Sequence, residues 1–180
     1  MTTALLLIDL QSDWFDNDEL ARCRDDLLAA CNHLVDRARS EQAPVVEVQT
    51  IHSADRRTWA LNMLKDGLGV VIEGTPGAER LAGLHEADHI VVKTRDSAFH
   101  RTHLADWLRE RGVDRLVLAG VSTESCIAAT AVDAYAHDFE LTLVEDATAS
   151  VEWHLHDQTL ERLRAQYRQD VRPASDVAFV

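Results

Sequence analysis

Three side chains that can together break a carbonyl–nitrogen bond stand at the ends of apolar runs: Asp9, Lys93 and Cys126. Asp9 stands at the end of the run over residues 4–10 (ALLLIDL), and Lys93 near the end of 89–94 (HIVVKT). Cys126 follows the run over 115–121 (RLVLAGV) across a short turn. Cys126 falls in the first turn after Thr123, a residue type that caps helices. A helix N-terminus beside a lysine lowers a thiol pKa, so a thiolate is expected. Asp9 would take the thiol proton and return it to a leaving amine, while Lys93 stabilises both charges. Each residue alone has a plainer reading: Cys126 as a small packing residue, Asp9 as a turn cap, Lys93 as a solvated cation. Together, a carboxylate and an ammonium at strand ends need a reason to be desolvated, and nucleophilic hydrolysis supplies one.

The elements that must position these groups follow from the hydrophobic pattern. The run over 4–10 lacks alternation, as expected of a central strand covered on both faces. The stretches 45–51, 89–94, 115–121 and 140–145 repeat that pattern, with Pro44 punctuating the loop before the first of them. Leu20, Leu27, Leu28, Cys31, Leu34, Val35 and Ala38 lie at the spacing of one helical face. Helices are also predicted over 102–111, stopped by Gly112, over the alanine-rich 123–137, and over 155–167. Strands alternating with helices predict an α/β chain, a three-layer αβα sandwich around a mainly parallel sheet, in one domain over residues 1–180. Ligands of such sheets bind beyond the carboxyl ends of the strands, where the strand order reverses. Residues 53–82 carry no clear element and are expected to form a lid or an interface.

The 180 residues are 46% hydrophobic and 27% charged, enough for one sizeable core. Lys and Arg total 18 against 31 Asp and Glu, a formal net charge of −13 that repels phosphate backbones and anionic membranes. Nucleic acid and membrane are therefore not expected as partners, and no apolar run approaches the ~20 residues of a bilayer span. No basic stretch precedes the first apolar run, so no secretory signal is expected and the cytoplasm is the expected compartment. Three cysteines, at 23, 31 and 126, are read as reduced thiols, with Cys23 and Cys31 structural.

The motifs resemble those of the isochorismatase-like cysteine hydrolases, the family that includes nicotinamidases and N-carbamoylsarcosine amidohydrolase. Asp9-Leu10-Gln11-Ser12-Asp13-Trp14 is similar to the family's D-x-Q-x-x-F, with Trp14 in place of Phe. Val92-Lys93-Thr94-Arg95-Asp96-Ser97-Ala98-Phe99 is similar to K-x-x-x-S-A-F, and Gly120-Val121-Ser122-Thr123-Glu124-Ser125-Cys126-Ile127 to G-V-x-T-x-x-C-V. Thr130-Ala131 and Asp133-Ala134 continue the likeness, which covers nearly the whole chain. It implies a Rossmann-like sheet, Asp9, Lys93 and Cys126 as a catalytic triad, and an oxyanion hole from the backbone amides of Ser122 and Cys126. It also implies a cis peptide before Ser122 and a homodimer or homotetramer, with Trp59 or Trp153 at the contact.

Departures from the family narrow the substrate. Metal-dependent nicotinamidases resemble D-x-H with a further histidine, whereas this chain has Thr50-Ile51-His52 followed by Ser53-Ala54-Asp55, so neither metal nor other cofactor is expected. Isochorismatases that cleave a vinyl ether usually lack the cysteine, so amide-type hydrolysis of a small molecule is preferred. Trp14 and Trp59 are expected to line the pocket, with Arg57 as a carboxylate clamp. The pairs His100 with His103 and His154 with His156 lack a defined ligand set and are read as surface or supporting residues. Competing readings are an enol-ether hydrolase with Asp9 as general acid, a receiver-like binding module, and a thiol redox sensor.

Overall fold

The computed structural model describes residues 2–179; Met1 and Val180, the ends of the expected 1–180 unit, lie outside them. The strands are β1 (Thr2–Ile8), β2 (Val45–Thr50), β3 (His89–Lys93), β4 (Val113–Val121), β5 (Glu140–Ala149) and β6 (Asp170–Arg172). They form one parallel sheet in the order β3-β2-β1-β4-β5-β6. That order reverses between β1 and β4, the point where doubly wound sheets open a crevice for ligands.

The unalternating apolar run of β1 is explained by its burial on both faces. Leu5 and Leu7 pack with Leu27, Cys31, Leu34 and Val35 of α1 (Asp18–Ser40). Ala4, Leu6 and Ile8 pack on the other face with α3 (Leu104–Arg109), α4 (Ala128–Ala136) and α5 (Trp153–Tyr167) through Leu104, Leu108, Ala131, Ala134, Leu160 and Leu163. The three expected layers are thus present. The helix α1 starts where the side chain of Asn17 accepts from the amides of Glu19 and Leu20, two of the donors a helix start leaves unpaired.

Several boundaries differ from the sequence pattern. The strand expected to end near 145 runs on to Ala149, with a shift of register against β4 between Leu118 and Gly120. The edge strand β6, three residues long and partly exposed, carried too little apolar patterning to be foreseen. The segment 53–82 holds only the short helix α2 (Leu61–Asp66) and a 3-10 turn at Pro76–Ala78. It is tied down by the Val71 amide donating to Asp13 and by Ser12 donating to the Glu79 carbonyl. Among the described residues no helix is long and apolar enough to cross a membrane.

Candidate active site

Chain geometry at the β1–β4 junction builds the site. At Asp9 the backbone turns into the left-handed region, φ 55°, and leaves the sheet. On β4, Gly120 pairs with Ile8 at φ 119°, and a Cβ there would sit 2.0 Å from the Ile8 carbonyl oxygen, so only glycine permits this approach. The Val121–Ser122 peptide that follows is cis. Ser122 then opens a π-helical turn, Thr123–Ile127, that runs directly into α4 and holds Cys126. Thr123 is not the helix cap expected of it. Ser122 occupies that position without a side-chain bond, while the buried Thr123 hydroxyl turns to His156 Nδ1 of α5, 2.9 Å away.

Asp9, Lys93 and Cys126, 84 and 33 residues apart along the chain, meet in one buried cluster. Lys93 Nζ donates to Asp9 Oδ2 at 2.7 Å and to Cys126 Sγ at 3.4 Å. The Lys93 and Asp9 side chains are 0% and 1% exposed. Burial works against the Lys93 charge, but Asp9 and Cys126 outweigh it and hold the ammonium above its usual range. The Cys126 thiol departs from expectation: burial pushes it well above the ordinary thiol range. The Asp9 charge adds to this, and Lys93 offsets only part. A helix start and a lysine do lower a thiol pKa, but here desolvation and the neighbouring carboxylate win. That balance favours the protonated thiol over the thiolate. Cys31, fully buried on the sheet-facing side of α1, is pushed up to about 12 by desolvation and the charge of Asp146.

The cluster opens onto a cavity of about 290 Å³, lined among others by Trp14, His52, Asn62, Met63 and Val70, and by Ser122 and Ser125. A larger groove of about 830 Å³ runs past Arg115 and Glu140 at the opposite ends of β4 and β5, and holds no cysteine, lysine or histidine. Trp14 lines the cavity as expected. Arg57 does not: its side chain is 83% exposed and pairs with Asp55. A guanidinium that is free to be hydrated and already paired has no reason to turn inward. Trp59 is buried but stands behind the wall, its Nε1 donating to the Ser53 carbonyl and its ring packed on Gly69. The cation at the rim is Arg95, which donates to the Thr58 carbonyl and pins the 58–59 turn.

Sequence reasoning passed over three supporting residues. Gln11 donates to the Thr50 and Ala78 carbonyls and accepts from the Thr50 amide. Thr50 Oγ1 donates to Asp9 Oδ1 and accepts from Lys93. His52 Nδ1 faces the Thr58 carbonyl at 2.9 Å. Burial first, then the nearby Arg95 and Lys93 charges, keep His52 below the usual histidine range. The neutral ring therefore carries its proton on Nδ1, and Nε2 is left as an acceptor. The signal was present in the D-x-Q motif and in Thr50-Ile51-His52, but hydrogen-bond partners are not written in spacing.

The metal-binding arrangement of D-x-H does not fit here. Thr50 offers a hydroxyl already shared by Asp9 and Lys93 in place of a carboxylate, and Nδ1 of His52 is taken. Among the described residues no group of three or more His, Cys, Asp and Glu side chains could hold a metal ion.

This site lies where a doubly wound hydrolase would carry it, and comparison with known proteins assigns the class. Residues 3–174 match the isochorismatase domain, and the chain belongs to the isochorismatase family of hydrolases. It is 37% identical over 164 residues to an Arabidopsis thaliana protein named as a probable inactive nicotinamidase, covering 86% of this chain and 84% of that one. The structure of an isochorismatase family protein from Desulfovibrio vulgaris superposes with a TM-score of 0.87 at 33% identity, covering 97% and 95% of the two chains. A nicotinamidase/pyrazinamidase from Bacillus subtilis does so with a TM-score of 0.82 at 26% identity, covering 96% and 100%.

Proposed function

We propose that this protein is a metal-independent cysteine hydrolase that cleaves the C–N bond of a small amide or carbamoyl compound through a thioester on Cys126. The observation that carries the reading is the buried contact of one ammonium with both a carboxylate and a thiol on the floor of a cavity. Burying a charged pair costs several kcal/mol per ion before its attraction is counted, and stability alone is a weak reason to keep it.

In the reaction, Asp9 takes the thiol proton as Cys126 Sγ attacks the substrate carbonyl carbon. The backbone amides of Ser122 and Cys126 receive the resulting oxyanion, where one such donor is worth about 3–4 kcal/mol. Asp9 then gives its proton to the departing nitrogen, the C–N bond breaks, and ammonia or an amine leaves behind an acyl-thioester. Asp9 next deprotonates water, which attacks the thioester, and the carboxylic acid departs as the sulfur is reprotonated. Lys93 remains protonated throughout and stabilises whichever of Asp9 and Cys126 is anionic.

The cavity is at the small end of ligand sites, and its walls mix apolar surface from Trp14, Met63 and Val70 with the His52 acceptor. That suits a compact substrate with a hydrogen-bond donor distant from its scissile amide. Nicotinamide is not the substrate favoured, given the name carried by the Arabidopsis relative. Copies of the chain are read as a homodimer or homotetramer, supported by the Trp153 indole, 70% exposed; light scattering that returns a monomer at micromolar concentration removes that part.

The test is an ammonia-release screen of small aliphatic and aromatic amides and carbamoyl compounds, with Cys126→Ala alongside. Hydroxylamine trapping of an acyl group on Cys126, followed by mass spectrometry, reads the intermediate directly. Turnover that survives Cys126→Ala defeats the thioester route and favours an enol-ether or other water-based hydrolysis.

A further inference from the structure

We infer that Thr50 is a positioning residue of this site: its hydroxyl, wedged between Asp9 and Lys93, aims the ammonium at Cys126. The inference rests on the reading of Asp9, Lys93 and Cys126 given above.

An ammonium has three protons and no lone pair. Those of Lys93 are fully assigned: one to Asp9 Oδ2 at 2.7 Å, one to Thr50 Oγ1 at 2.6 Å, and one to Cys126 Sγ at 3.4 Å. Because Thr50 accepts from Lys93, its own proton goes the other way, to Asp9 Oδ1 at 2.8 Å. Both carboxylate oxygens are thereby engaged, which fixes the rotation of Asp9, and lone pairs remain on it for the thiol proton. The longest of the three ammonium bonds is the one to sulfur. Without a second anchor the ammonium would swing fully onto Asp9, the stronger acceptor, and abandon the sulfur.

The backbone explains how a threonine at the end of β2 is held so closely. Thr50 pairs with Lys93 in the register of β2 and β3, so the two side chains leave the sheet side by side. On its other flank β1 has already ended at Ile8, and the Gln11 side chain takes over as strand partner. Its carboxamide accepts from the Thr50 amide and donates to the Thr50 carbonyl, both at 2.9 Å. Gln11 is completely buried and Thr50 only 5% exposed. The site thus has a built frame for one hydroxyl that the mechanism itself does not consume. The other charged or titratable groups facing Cys126 and this pair are Asp96 and Arg95 from the loop after β3, and His52 beyond β2.

The experiment is the rate of alkylation of Cys126 by iodoacetamide, itself a small amide, against pH, read by mass spectrometry with Cys23 as the control for general opening. Thr50→Val, close in shape but without the hydroxyl, is expected to raise the midpoint by about one pH unit and slow alkylation about tenfold below it. Thr50→Ser restores the hydroxyl and is expected to keep the native profile; Thr50→Ala replaces the valine variant if that one fails to fold. A Thr50→Val or Thr50→Ala profile that coincides with the native one, or moves to lower pH, overturns the inference. Failure of Thr50→Ser to restore the profile overturns it equally, by making the effect one of packing. If Asp9→Asn and Lys93→Met also leave the profile unmoved, the underlying reading of the cluster falls and takes this inference with it.

Discussion

Replacing Lys93 by methionine removes the cation that neutralises a carboxylate buried to 1% exposure, while keeping much of the stem that fills the space. Breaking a buried ion pair from one side costs about 3–5 kcal/mol, because the remaining charge has neither water nor partner. In this chain the stranded carboxylate keeps the Thr50 hydroxyl at 2.8 Å and the Cys126 thiol beside it, neither of which carries a compensating charge. For a protein of this length each kcal/mol moves the melting temperature by about 2–4 °C, so Lys93→Met should melt about 6–20 °C below the native chain. The double variant Asp9→Asn/Lys93→Met removes both charges and should recover most of that loss, though neither variant is expected to turn over substrate. Urea denaturation at pH 7 followed by far-UV circular dichroism, run as a double-mutant cycle, measures the coupling. The same cycle carries a sign in pH. Lys93 is held above its ordinary value of 10.5, so the pair's contribution is complete at neutral pH and fades as pH rises through the folded value. A single variant within about 1 kcal/mol of native, or a double variant no better than the single, would refute the reasoning by showing that the pair is solvated.

Further outcomes follow from the same geometry. Asp9→Asn should lower the pH midpoint of Cys126 alkylation and Lys93→Met should raise it, since the carboxylate opposes the thiolate and the ammonium supports it; mass spectrometry reads both, with Cys31 inert throughout. The His52 and His156 rings are held below the usual histidine range, chiefly by burial. The unfolded chain therefore takes up their protons first, and stability should be full above about pH 6.5 and fall as pH drops through the folded values. Replacing His156 by asparagine should flatten that acid limb in urea titrations, and an unchanged slope counts against the assignment. Gly120→Ala places a Cβ against the Ile8 carbonyl at a backbone angle only glycine tolerates, and should cost about 3 kcal/mol or more by the same titration.

The layer order was legible in the sequence because burial on both faces leaves unalternating apolar runs, as residues 4–10 and 115–121 show; 89–94 carries a similar run, yet β3 lies at the sheet edge with Ile90 and Val92 exposed. Asp9, Lys93 and Cys126 were legible for the same reason, since a polar residue ending such a run is confined to the carboxyl edge of the sheet. Placement at a strand end can be read from type and position. What could not be read was anything set by a partner distant in the chain. Thr50 and Gln11 act through hydrogen bonds to residues 39 to 67 positions away in the sequence, and nothing local distinguishes their hydroxyl and carboxamide from others. Arg57 and Arg95 are equal as sequence; only the tertiary path of residues 53–82 puts the first in water beside Asp55 and the second at the cavity rim. The state of the Cys126 thiol was decided in the same way. A helix start and a nearby lysine can be seen in the sequence and lower a thiol pKa, but the depth of burial that reverses them exists only once both faces of the sheet are covered.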